Sequence, residues 1–102
     1  MMSSKLTKAQ AIALAASGWW KGLPAADIVM FQLFEDKLCM DFSAFHKAVE
    51  ATLGRVVWTH EFGGVGWQQL QEEFLGDRSA PTWEQIVELI PIKKRMILIV
   101  EP

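Results

Sequence analysis

The stretch LCMDFSAFHKAVEATLGRVVWTHEF, Leu38–Phe62, decides the fold of this chain because it contains one helix, both of its ends and the segment that follows. Its apolar residues recur at spacings of three and four, which is the pattern of an amphipathic helix. Asp41 is a favourable N-cap for this helix, and Gly54 is a favourable residue just after its last turn. Beyond the glycine, β-branched and aromatic residues predict a strand near residues 55–60.

Similar signals predict four more helices. Thr7-x-x-Gln10 and Thr82-x-x-Gln85 have the spacing of a capping box, in which two side chains bind the free backbone groups at a helix start. Pro24 suits the first turn of a second helix. The run WQQLQEEFL after the glycine-rich turn, residues 67–75, carries its apolar residues on one face and predicts the fourth helix.

The apolar run MILIV, residues 96–100, predicts a second strand near residues 95–100 that is buried on both faces. Two strands make a poor free-standing sheet. We therefore expect either a ribbon packed on the helices or an edge that pairs with a second protein chain. The prediction is a single α+β domain, residues 1–102, dominated by about five helices and containing a two-stranded sheet of undetermined strand direction.

The second helix is apolar on nearly all sides. Ile28, Val29, Met30 and Phe31 follow one another, and Leu33 and Phe34 come soon after. A helix of this kind is normally surrounded by protein. We expect a central core helix, with contact to another subunit or partner as the alternative, so that a homodimer through this helix or through an apolar strand stays open.

Composition excludes several classes of function. The net charge of −2 gives no electrostatic footprint for nucleic acid or an anionic membrane surface. The apolar run near the N-terminus is too short to span a bilayer, so no membrane association is expected. The single cysteine, Cys39, excludes an internal disulfide, which favours a reducing, cytoplasmic compartment.

The chain offers few groups for catalysis or metal binding. Cys39, His46 and His60 do not have metal-ligand spacing, so no metal site is expected. The apolar neighbours of Cys39 predict an inert, buried thiol. His60 and Glu61 would point to opposite faces of a strand, which argues against an acid–base pair, although a chemical role for these two residues stays open. We expect neither an enzyme nor a cofactor.

DNA binding is the main alternative function. The second and third helices, joined by a turn at residues 38–41, have the layout of a helix-turn-helix. The helix that would enter the groove offers a small polar set, namely Ser43, His46, Lys47 and Glu50. These residues supply too few cations for the phosphate contacts that dominate affinity. Nucleic acid is therefore a disfavoured partner.

Aromatic residues favour protein–protein binding. The chain has five tryptophans and six phenylalanines without a tyrosine, and tryptophan is enriched at the centres of interfaces. Adjacent tryptophans cannot both face one core, so at least one of the pair at 19 and 20 should be partly exposed or lie against a partner. The cluster that ends the first predicted strand is not explained by a core pattern either. The candidate partner-binding residues are Trp19, Trp20, Trp58, His60, Glu61 and Phe62.

Several motifs together resemble small bacteriophage and prophage proteins of an uncharacterised domain family. They are WWKGLP (19–24), FQLF (31–34), the run 38–62 quoted above, EFLG (73–76) and APTWEQI (80–86). The resemblance covers most of the chain beyond residue 18 and carries no catalytic residues. Small phage accessory proteins commonly bind and block a host enzyme or defence complex, anti-CRISPR proteins among them. The resemblance therefore implies a cofactor-free stoichiometric binder in the host cytoplasm, acting on a host or phage protein complex.

Overall fold

The structure is a computed structural model that describes residues 6–96. Within that range the elements are helices α1 (Lys8–Ser17), α2 (Ala25–Leu33), α3 (Phe42–Leu53), α4 (Val65–Leu75), α5 (Trp83–Glu88) and α6 (Ile92–Arg95), with one turn of 3₁₀ helix (Thr59–Phe62) between α3 and α4. The first five helices lie where the sequence predicts them. The 3₁₀ turn and α6 were not predicted.

The predicted helix ends are largely confirmed. The Thr7 hydroxyl accepts from the Gln10 N–H at 3.1 Å while the Gln10 side chain accepts from the Thr7 N–H at 2.9 Å. Thr82 and Gln85 repeat this capping box at the start of α5. Asp41 lies at the predicted N-cap of α3, but its carboxylate accepts from the Ser43 hydroxyl instead of capping the helix backbone.

The predicted two-stranded sheet is wrong, because the range 6–96 contains helices and no strand. Residues 56–58 have no regular secondary structure, and the backbone of Val57 binds side chains of α3 instead of another strand. Its N–H donates to Glu50 Oε2 at 3.0 Å, and its carbonyl oxygen contacts His46 Nε2. Two side chains one turn apart thus satisfy the backbone groups that a neighbouring strand would otherwise bind.

The strand predicted near 95–100 is not a strand where it can be described. Arg95 ends α6, and Met96 lies in the turn after it. Residues 97–100 lie outside the described residues. Arg95 donates to the carbonyl oxygens of Ile90 at 2.7 Å and Glu88 at 2.8 Å. The cation therefore binds carbonyls at the C-terminal end of α5, where positive charge is favourable.

Helix α2 lies between two hydrophobic clusters, which explains why it is apolar on nearly all sides. Its Val29 and Leu33 belong to a first cluster with residues of α3 and α4, namely Phe45, Val49, Leu70 and Phe74. Its Phe31 belongs to a second cluster with Leu14, Trp19, Cys39, Ile86 and Ile90. The prediction of a buried core helix is therefore confirmed.

Gln32, a buried polar residue of α2, organises the connection to α3. Its side-chain N–H groups donate to the carbonyl oxygens of Glu35 at 3.2 Å and Lys37 at 2.8 Å, and its oxygen accepts from the Cys39 N–H at 2.7 Å. Cys39 is fully buried, and burial raises the pKa of its thiol to about 12. The prediction of a buried thiol is confirmed, and the raised pKa disfavours the thiolate, which is the reactive form.

Candidate partner-binding surface

Four of the six predicted partner-binding residues lie together in the segment that joins α3 to α4, here called the Trp58 loop (residues 54–64). Trp58 comes directly before the 3₁₀ turn, and His60, Glu61 and Phe62 lie within it. Trp58 and His60 are exposed, whereas Glu61 and Phe62 are half-buried. The prediction that His60 and Glu61 point to opposite faces of a strand is wrong, because both residues are in the 3₁₀ turn.

Trp58 exposes 64% of its surface. Val56, two residues earlier, exposes 63%, whereas Val57 between them is buried. Val56 and Trp58 thus face solvent, while Val57 between them packs into the first cluster. The outer side of the loop therefore presents a large aromatic and an aliphatic side chain to solvent.

Arg55 ties the loop to α4. Its guanidinium binds the Glu61 carboxylate at 2.9 and 3.2 Å and the Glu73 carboxylate of α4 at 2.8 and 3.0 Å. These two-point contacts fix orientation as well as distance. Because the ion pairs are near the surface, they orient the loop more than they stabilise the fold.

The Arg55 contacts change the acidity of both carboxyl groups. The hydrogen bonds from Arg55, followed by one from the Trp58 N–H, lower the pKa of Glu61 to about 2. Hydrogen bonding from Arg55 also lowers the pKa of Glu73. The two carboxylates in turn raise the pKa of Arg55, with Glu73 making the larger contribution. All three groups are thus charged at neutral pH, and the bridge between loop and helix persists.

Phe62 anchors the loop from the inner side. Its ring centroid lies 5.1 Å from that of Phe42, 5.4 Å from that of Phe45 and 6.4 Å from that of Trp67. These four rings are called the aromatic cluster below. The His46 ring packs edge-on against Phe62 at 5.2 Å. Phe62 therefore holds the loop in place and leaves the exposed contact surface to Trp58 and His60.

The structure places the tryptophan pair apart from the Trp58 loop, between α1 and α2. Trp19 is buried, its indole N–H donates to the Cys39 carbonyl at 2.9 Å, and its ring lies 4.5 Å from that of Phe31. Trp20 meets Trp19 edge-on at 6.4 Å and is half-buried. Of the two, Trp20 alone has surface that a partner can reach without a change in fold.

Sequence reasoning missed a cavity of about 200 Å³ beside the Trp58 loop. The aromatic cluster lines it, together with polar residues that follow α2, including Glu35 and Asp36. Glu35 is 1% exposed although it is ionisable. The sequence did contain a signal for this cavity. Glu35 places a carboxylate just after an apolar helix, where the negative end of the helix dipole disfavours a negative charge.

A larger groove of about 570 Å³ lies between α2, α3 and α4 and includes Asp27, Glu73 and Arg78. Two of its charged side chains, Glu73 and Arg78, already make contacts within the fold. Arg78 donates to the Phe74 carbonyl at 2.7 Å and stacks 4.8 Å from the Phe74 ring, while Glu73 binds Arg55. The groove therefore carries weaker indications of a binding site than the Trp58 loop does.

No set of three His, Cys, Asp or Glu side chains between residues 6 and 96 is arranged to hold a metal ion. Over the same range, no helix has both the length and the apolar character needed to cross a membrane.

Comparison with known proteins gives one match. The family described as a domain of unknown function (DUF7736) matches residues 26–82, which is more than half of the chain and includes α2 from its second residue, α3, the Trp58 loop and α4. No curated protein and no solved structure matches the chain. The match confirms the prediction of an uncharacterised domain family and does not bear on phage origin.

Proposed function

This chain belongs to the DUF7736 family, and we propose that it is an accessory protein that acts by stoichiometric binding to another protein. The binding surface is the exposed side of the Trp58 loop. The proposed partner is a host or phage protein complex. Phage or prophage origin is part of the proposal and rests on the resemblance of sequence motifs described above. Neither catalysis nor a cofactor enters the proposal.

The observation that carries the proposal is an exposed tryptophan on an ordered backbone. The Trp58 N–H donates to Glu61 Oε2 at 2.8 Å, and both backbone groups of the preceding Val57 bind side chains of α3. Because the backbone at Trp58 is already held in place, covering it with a partner costs little backbone entropy. Tryptophan is also the residue type most enriched among those that dominate binding energy.

The form of action that we propose is inhibition of a host defence system such as CRISPR–Cas. A small protein with one preorganised surface can block a larger complex by occupying a site on it, and no reaction is needed. On this proposal the protein acts in the cytoplasm of the host cell.

A binding experiment with a matched control tests the surface. Tagged wild type, Trp58→Ala and Ile12→Ala are compared in pull-downs from bacterial lysate, followed by affinity measurement with the purified partner. Ile12 is 59% exposed on α1 and controls for loss of an exposed apolar side chain. We expect Trp58→Ala to weaken binding by about 2 kcal/mol or more, and Ile12→Ala to bind like wild type. Folded Trp58→Ala that binds as tightly as wild type would show that this surface is not the interface.

A plaque assay tests the form of action. Wild type and Trp58→Ala are expressed in strains that carry different active CRISPR–Cas systems and are challenged with a targeted phage. We expect wild type to raise plating efficiency in at least one strain and Trp58→Ala to lose that effect. If wild type has no effect in any strain, inhibition of CRISPR–Cas is contradicted, while the pull-down still decides whether the protein is a binder.

The alternative, a helix-turn-helix DNA-binding regulator, has less support. The segment that joins α2 to α3, residues 34–41, exceeds the roughly three to four residues of that motif's turn. Of the polar residues expected to face the groove, His46 and Glu50 contact Val57 instead. A gel shift with random duplex DNA separates the two functions. Strong binding that collapses with rising salt would favour the DNA-binding alternative.

A further inference from the structure

The cavity beside the Trp58 loop combines aromatic walls with a buried carboxyl group. Phe42, Phe45, Phe62 and Trp67 line its apolar side, and their rings lie 5.1 to 6.4 Å apart where they meet. The polar side is formed by residues at the end of α2, with Asp36 exposed to solvent. A volume of about 200 Å³ is suited to one small head group or one side-chain terminus.

Glu35, which lines this cavity, is incompletely hydrogen-bonded. Its Oε2 accepts from the Lys37 N–H at 3.1 Å, whereas its buried Oε1 has no hydrogen-bond partner. In the described part of the chain, no lysine or arginine nitrogen forms an ion pair with it. A buried carboxyl oxygen without a partner is costly, and native proteins rarely leave one.

Burial raises the pKa of the Glu35 carboxyl, and side-chain hydrogen bonding with the neighbouring Asp36, together with the negative charge of Asp36, adds to that rise. The backbone N–H and the positive charge of Lys37 act in the opposite direction without cancelling it. The positive charge of Lys37 therefore does not offset the cost of burying the Glu35 carboxylate. A cation placed in the cavity would bring further positive charge close to it.

We propose that this cavity binds an organic ammonium group. The aromatic rings supply cation–π attraction, and Glu35 and Asp36 supply negative charge. Alkylated ammonium groups suit such a site because they offer apolar surface to the rings together with a positive charge. A bare metal ion suits it less, because aromatic walls offer no oxygen ligands. This proposal does not depend on the function proposed for Trp58.

A pair of isosteric probes isolates the contribution of the charge. Choline and 3,3-dimethyl-1-butanol have nearly the same shape, and only choline is positively charged. Binding is measured by calorimetry and by NMR of the Trp67 indole N–H. We expect choline to bind at least about tenfold more tightly, which corresponds to a gain of about 1.4 kcal/mol. Equal affinity of the two probes, or no binding of choline, would overturn the proposal.

Matched variants locate the site. Glu35→Gln should lower choline affinity by at least about tenfold, whereas Glu84→Gln removes an exposed carboxylate on α5 and should leave it unchanged. Phe62→Leu keeps an apolar side chain but removes one ring, and it should weaken choline more than the neutral probe. If Glu35→Gln does not fold, Phe62→Leu still tests whether choline binds in this cavity. Choline affinity that is unchanged in folded Glu35→Gln and in Phe62→Leu would contradict the assignment to this cavity.

Two sources can supply an ammonium group, and a further arm distinguishes them. Nα-acetyl-lysine methylamide, which keeps its side-chain ammonium group, represents a lysine of a partner protein, and choline represents a free small molecule. When choline binds, still tighter binding of the lysine derivative supports the proposal and identifies a protein source. Tighter binding of choline supports the proposal and identifies a small-molecule source.

Discussion

Glu61 shows how a single residue sets the conformation of the Trp58 loop. Its carboxylate accepts hydrogen bonds from Arg55 and from the Trp58 N–H, so that it joins the start of the loop to the 3₁₀ turn. Arg55 extends this link to Glu73 on α4. The orientation of the exposed tryptophan therefore depends on charged groups that do not need to contact a partner themselves.

The acidity of Glu61 leads to a pH-dependent prediction. Because its folded-state pKa is lowered from 4.5 to about 2, its contribution to stability is present above pH 4.5 and is lost as the pH falls toward 2. In urea unfolding, Glu61→Gln should be less stable than wild type at pH 6, and the difference should shrink between pH 4.5 and 2. A difference of equal size at pH 6 and pH 2 would show that Glu61 acts through packing and not through its charge.

At the scale of elements, the segment 55–58 shows the limit of β-propensity. Val56 and Val57 predict a strand, but residues 56–58 have no regular secondary structure. Propensity does not specify what binds that backbone, and here His46 and Glu50 of α3 do so. The next residues then form a 3₁₀ turn whose position depends on close contact with α4.

Gly66, in the first turn of α4, tests that contact. A Cβ at this position would lie 2.9 Å from the Glu61 carbonyl carbon and 3.0 Å from its Cα. Helix propensity favours alanine by about 1 kcal/mol, but overlap with backbone atoms is not easily relieved. We expect Gly66→Ala to lower the free energy of unfolding by about 1–3 kcal/mol in chemical denaturation.

Gly63→Ala is the matched control for Gly66→Ala. Its added Cβ would lie 3.8 Å from the His60 carbonyl oxygen, an ordinary contact distance. Its φ of −113° is also allowed for alanine. The control should change stability by no more than about 0.5 kcal/mol. If Gly66→Ala is as stable as Gly63→Ala, the close approach of the 3₁₀ turn to α4 does not constrain the fold.

For the whole molecule, the central position of α2 couples the two hydrophobic clusters. Val29 and Phe31 are both fully buried and belong to different clusters. If α2 separates from one cluster, it also leaves the other and exposes apolar side chains of both. We therefore expect the two clusters to unfold in one cooperative step.

Truncations in each cluster test this coupling. Leu14→Ala affects the second cluster and Leu70→Ala the first, and both leucines are almost fully buried. Each should lower the free energy of unfolding by about 2–5 kcal/mol, and Ile12→Ala should change it by no more than about 0.5 kcal/mol. In both core variants, unfolding followed by circular dichroism and by tryptophan fluorescence should coincide. Two separated transitions would show that the clusters are independent.

The amino-acid sequence by itself determined where the first five helices lie, how Thr7 and Thr82 cap α1 and α5, and that Cys39 is a buried thiol. These features depend on groups within about one helical turn of each other, or on local apolar content, which one sequence displays directly. The buried position of α2 also follows from its own composition. The aromatic-polar cluster at the Trp58 loop was recognisable because no local pattern explains it.

Only the tertiary structure decided which of those aromatic residues are exposed, and which side chains bind the backbone of Val57. Trp58 faces solvent while Trp19 is buried, although both are tryptophans next to apolar or aromatic neighbours. Glu35 became part of a cavity because Phe62 and Trp67, far away in sequence, pack beside it. These outcomes depend on contacts between distant segments, and neither propensity nor spacing along the chain specifies which segments meet.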